Sequence, residues 1–157
     1  MDELIAHCKN QATTAMEIFL RNLSHVPEER LDWSPSPTAN SALQIAAHVA
    51  GYSGAFASII RAGEFPATVG EFMTPIKLAI ESVRSVAEAD AMLRHGITDT
   101  LDALDSVTPE RIESSLETPI GPTPFLFFMT LPSVHLTLHT GQIDYLQTCW
   151  GDQEVYI

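Results

Sequence analysis

Residues 125–150, FLFFMTLPSVHLTLHTGQIDYLQTCW, decide how this chain folds, because Asp144 is the only formally charged side chain among them. A helix of that length without a polar face is either the central helix of a bundle or a face covered by a second copy of the chain. In the second case Phe125, Phe127, Phe128 and Met129 are the expected homodimer contacts. Pro132 lacks a backbone donor and its ring crowds the preceding turn, so the helix is expected to kink or begin there. Gly151 is the expected C-cap.

Upstream, three more amphipathic stripes need the same core. Leu4, Cys8, Ala12, Ala15, Met16, Phe19 and Leu23 recur at three- and four-residue steps, which predicts a first helix ending near Ser24. The run PEERLDWSPSPTAN, residues 27–40, is too rich in proline for regular structure, and its Trp33 is expected to plug one end of the fold. Ser41 with Gln44 reads as a capping box opening a second helix from about Ala42 to Arg61, stopped by Gly63. Gly70 and Pro66 mark residues 64–75 as a loop with at most a short turn. Val83, Val86, Leu93, Ile97, Leu101 and Leu104 then predict a third helix, ended by Thr108-Pro109. TPIGPTP, residues 118–124, is a second Pro-rich connector with no strand partner in view. The expectation is one all-α domain over residues 1–157, a four-helix bundle with ligand sites between facing helices.

Charge narrows the partners. Twenty Asp and Glu oppose eight Lys and Arg, a net charge of −12, and no basic residue follows Arg111. Phosphate backbones and anionic membranes are bound through Lys and Arg, so neither nucleic acid nor a membrane surface is an expected partner. The N-terminus lacks a signal-peptide pattern, and the longest apolar run, residues 124–138, is broken by Pro132 and His135. With only Cys8 and Cys149, the chain is expected to be cytoplasmic and free of disulfides.

Chemistry concentrates in HLTLH. His135 and His139 are one helical turn apart, so their rings share a face with Cβ atoms about 5–6 Å apart. Two such imidazoles can chelate a divalent metal; they can equally be core histidines with one hydrogen bond each. His48, set among small and apolar neighbours in Leu43–Ala50, is the candidate third ligand. Three neutral histidines with an open fourth position are the donor set of catalytic zinc. His7, His25 and His95 have charged or polar neighbours and are expected at the surface. HLTLH lacks the glutamate base of the peptidase motif H-E-x-x-H.

Around the histidines, Gln142 projects near the same stripe and serves either as partner to a ligand or substrate or as a buried amide. Tyr52, one turn beyond His48, is either a hydroxyl reaching the open position or a core tyrosine. Asp90 is the only acidic residue expected to point inward. Asp144 lies about 140° from His139, a poor ligand that can orient a group from a neighbouring chain. Cys149, ten residues past His139, is ~15 Å along the axis and too far to ligate.

Two segments, LDWSPSPTANSALQIAAHVAGY (31–52) and HLTLHTGQIDYLQ (135–147), resemble the DinB-like, or YfiT-like, family of four-helix proteins. That family carries a W-x-P…S…H segment entering its second helix and H-x-x-x-H-x-G-Q in its last. The resemblance implies an up-down-down-up bundle with long Pro-rich connectors and metal ligands at His48, His135 and His139. It also implies a divalent ion, commonly nickel or zinc, and homodimerisation. For activity it implies a metal-dependent enzyme that transfers a low-molecular-weight thiol to an electrophilic small molecule. A metal-dependent hydrolase, or a non-catalytic metal-binding or stress-linked bundle, is the alternative.

Overall fold

The computed structural model describes residues 1–156 and is mostly helical. Helix α1 (Asp2–Ser24) buries Cys8, Ala12, Ala15, Met16, Phe19 and Leu23, the expected stripe. A one-turn 3-10 helix, Glu28–Arg30, interrupts the first connector. Trp33 meets Trp150 edge-on at 5.6 Å, and the Arg30 guanidinium lies over both rings, so the connector is pinned to the chain's last helix.

Helix α2 (Ala42–Ala62) begins with the capping box read from sequence: the Gln44 amide nitrogen donates to Ser41 Oγ, and the Ser41 amide donates to Gln44 Oε1. It ends at Gly63, whose φ of 68° is left-handed. By length and hydropathy α2 is the one helix among the described residues apolar enough to cross a membrane, longer in that respect than residues 124–138. Its apolar surface is spent on the core instead, with twelve residues buried.

The expected loop at 64–75 is largely helical. Helix α3 (Val69–Ser82) starts where Thr68 Oγ1 accepts from the Glu71 amide at 3.1 Å, and it runs through Pro75. The cap and the burial of Ile76 against the rest of the fold outweigh the backbone hydrogen bond that Pro75 cannot make. The expected third helix therefore divides. Val83 is extended, and Ser85 caps a new helix, α4 (Val86–Asp105). A single turn, α5 (Pro109–Ile112), follows the Thr108 cap.

The second Pro-rich connector is a small hairpin rather than a coil. Strands β1 (Ser115–Thr118) and β2 (Gly121–Pro124) pair antiparallel, with Thr118 opposite Gly121. Gly121 has φ of 102°, which lets the chain reverse in two residues, and Thr118 Oγ1 donates to the Gly121 carbonyl at 2.8 Å. Leu116 of β1 is buried, so the hairpin closes one end of the core.

Helix α6 (Phe125–Cys149) does not start at Pro132 but runs through it, and Pro132 is itself buried. Helices α1, α2, α4 and α6 all supply buried residues to a shared core. Phe125, Phe128 and Met129 are 0%, 5% and 1% exposed, so three of the four residues expected at a dimer contact are consumed inside the chain. The exposed apolar residues of α6 are Leu126, Phe127, Val134, Leu138 and Tyr145. His7, His25 and His95 are exposed, as their neighbours implied.

Candidate metal centre

Helix α2 carries His48 in its second turn, and α6 carries His135 and His139 on adjacent turns; packing of α2 on α6 turns the three rings toward one another. His48 Nε2 lies 3.1 Å from His135 Nε2, and His139 Nε2 lies 3.2 Å from the same atom. Nitrogens bound tetrahedrally at 2.0–2.1 Å to one zinc-like ion stand ~3.3 Å apart, so the spacing matches a shared cation. Among the described residues this is the one His, Cys, Asp or Glu cluster with metal-holding geometry.

Protonation states agree with that use. Burial, then the positive charge His139 would carry, then that of His48, hold His135 far below the ordinary imidazole value, at about 3. Burial and His139 also lower His48. Both rings are therefore neutral at physiological pH, with lone pairs available. His139 Nδ1 is 2.7 Å from Gln142 Oε1. With the amide oriented this way Nδ1 carries the proton and donates it, and the lone pair of His139 is left on Nε2, toward the cluster. Gln142 thus sits behind a ring, on the side away from the shared nitrogens.

The remaining walls are aromatic. Tyr52 packs against His48 at 4.6 Å and His135 at 5.3 Å between ring centroids. Its phenol, raised by burial above its usual pKa, stays protonated and donates to Met73 Sδ at 3.5 Å. Phe56 stands edge-on to His135 at 5.2 Å. Phe56 was legible as the next step of the four-residue series 48, 52, 56; Met73 was not, because it belongs to α3. Val49, Phe56, Leu93 and Ile97 gather behind His135 and leave no room for a water, so α4 backs the site without supplying a donor.

Two expected neighbours lie elsewhere. Asp90 does not point inward: it is partly exposed on α4 and pairs with Arg94 Nε, one turn on, at 2.5 Å. The one-position register uncertainty of an amphipathic stripe is enough to move a side chain from core to surface. Asp144 accepts a hydrogen bond from Asn22 Nδ2 of the same chain, which ties α1 to α6. Cys149 is exposed and Cys8 buried, and neither joins the histidines.

The fold has solved relatives. The DinB-like protein YjoA from Bacillus subtilis superposes with a TM-score of 0.65 at 15% identity, over 99% of this chain and 96% of that one. A mycothiol-dependent maleylpyruvate isomerase superposes with a TM-score of 0.67 at 15% identity, over 88% of this chain and 60% of the isomerase, so the match spans only part of that protein's length. A variant of that isomerase aligns equally, at 13% identity. No curated protein matches the sequence. The model of the DinB superfamily matches residues 11–143, and the chain belongs to that superfamily.

Proposed function

We propose that this protein holds one divalent cation, nickel or zinc, on His48, His135 and His139 and transfers a low-molecular-weight thiol to an electrophilic small molecule. The observation that carries the reading is the convergence of three imidazole nitrogens within about one cation's reach. A bound divalent ion with an open position supplies the means to lower a thiol's pKa and hold it as thiolate.

The chain's own residues do the rest. His48 and His135 stay neutral because they are partly buried beside one another and His139; Gln142 fixes the His139 tautomer; Tyr52 and Phe56 wall the site with rings that limit water. The Tyr52 phenol, held weakly by a thioether, is a proton donor on a ring packed against His48. No carboxylate touches the imidazoles among the described residues, which favours thiol chemistry over hydrolysis, where a base for water is needed. The solved isomerase of like fold is mycothiol-dependent, which lends support to a thiol cosubstrate.

The same reading takes the four long helices as an up-down-down-up bundle in a cytoplasmic homodimer. The dimer would meet along Phe127, Val134, Leu138 and Tyr145, an almost charge-free face on a chain of net charge −12. The test is elemental analysis of protein purified without added metal, with His48→Ala, His135→Ala and His139→Ala, followed by thiol titration of the cobalt-substituted protein. Stoichiometric metal lost in all three variants, with a sulfur-to-cobalt charge-transfer band on thiol addition, supports the proposal. Metal without a thiol response points to hydrolysis or a binding role, and full metal retention in any variant removes that ligand.

A further inference from the structure

We infer that the groove between α2 and α3 binds a small amphiphilic organic cation, an ammonium head on an apolar chain. The two helices are in tight contact at Gly51 and leave space beside Gly54. At Gly51 an added Cβ would meet Ile80 Cγ1 at 2.6 Å and the Ile76 carbonyl at 3.2 Å, so α3 lies hard against α2 there. One turn later, at Gly54, an added Cβ would meet nothing within 4 Å. The space that opens is about 390 Å³, within the size range of small-molecule sites, and Ala55, Phe72, Pro75 and Ile76 give it an apolar wall.

Its charges have one sign. Glu64 and Glu71 both line the groove, and no Lys or Arg does. Neither carboxylate is ion-paired among the described residues. Arg111 lies against Gly63 and over the Phe125 ring at 5.7 Å. An anionic ligand would meet two carboxylates on a chain of net charge −12. A second copy of the chain would bring the same charge. An ammonium group is attracted by both carboxylates, while an apolar chain fills the wall beside Gly54 and Phe72. The groove is separate from the imidazole cluster, since Tyr52 stands between Phe72, at 6.1 Å, and His48, at 4.6 Å.

The test is calorimetric titration of the full chain with octylammonium, octanoate and octanol. It uses the wild type, Gly54→Leu, which plugs the open wall, and Glu64→Gln/Glu71→Gln, which removes the charge from two exposed positions. Far-ultraviolet circular dichroism checks that each variant is folded. One octylammonium per chain, weakened at least tenfold in both variants, with octanol weaker and octanoate unbound, is the expected result. Octanoate binding as tightly as octylammonium, or either folded variant keeping wild-type affinity, overturns the inference. A failure here leaves the metal centre untouched, because no ligand of that centre is altered.

Discussion

Gln142 Oε1 accepts a hydrogen bond from His139 Nδ1 at 2.7 Å, and that single contact sets which nitrogen of His139 faces His135. Partners of this kind typically contribute 10- to 100-fold in metal affinity. Gln142→Ala is therefore expected to weaken divalent-metal binding by about that factor, read by competition with a chromophoric chelator. Stability of the metal-free chain should barely change, because Gln142 is exposed.

In the metal-free chain, stability is expected to fall as pH is lowered from 6.5 toward about 3, over and above the carboxylate contribution. His135 is depressed in the fold, so below 6.5 the unfolded chain takes up a proton that the native ring refuses. The stabilising difference is fully present above 6.5 and is lost as pH falls through that window. Urea midpoints of wild type and His135→Gln across pH 4–7.5 check it, and parallel pH profiles would refute it.

Native protein is expected to react with one equivalent of iodoacetamide, at Cys149, and unfolded protein with two. Cys149 is exposed, whereas Cys8 is 2% exposed with its thiol pKa raised by burial. The sign for stability follows from the same shift. Above the ordinary thiol value of 9.0 the unfolded Cys8 ionises and the native one does not, so this contribution is lost as pH rises. Mass spectrometry of the alkylated protein identifies the site.

Gly96→Ala is expected to destabilise the fold by on the order of 1–3 kcal/mol. An added Cβ would collide with Ser53 Oγ and Cβ and come within 3.0 Å of the Gly54 backbone nitrogen, where α4 crosses α2. Gly54→Ala, facing open space on α2, is expected to stabilise by roughly 0.5–1 kcal/mol. Thermal melts of the two variants should move in opposite directions.

Wild type is expected to sediment as the proposed dimer and Leu138→Glu as a monomer, with helix content unchanged. Leu138 is 66% exposed at the centre of the apolar stripe of α6, so a carboxylate there costs the monomer little and places like charges face to face in a dimer. A dimer that survives the substitution means that copies meet elsewhere.

Much of the helical frame was legible from Ser41, Gln44, Gly63 and the stripes of α1 and α4, because caps and 3.6-residue periodicity are local properties of the chain. His135 and His139 were legible as a pair for the same reason, being one turn apart on one helix. Residues 64–82 were not. Pro75 and Gly70 speak against a helix locally, and the burial of Ile76 that favours one is a long-range contact. The hairpin at 115–124 was hidden by its prolines, since its pairing rests on Gly121 and on Leu116 finding the core.

The sequence by itself determined that the chain is helical, acidic and equipped with a histidine pair in a helix with one charge, all readable over one or two turns. His48 was already the candidate third ligand, and only the tertiary structure decided that it meets them at contact distance. His48 is 87 residues from His135 in sequence and 3.1 Å from it in space, and no periodicity within one helix encodes that distance. It likewise decided that Phe125, Phe128 and Met129 belong to the core, and that Asp90 belongs to the surface with Arg94. An amphipathic stripe specifies that a face is buried; the packing of neighbouring helices determines what it is buried against.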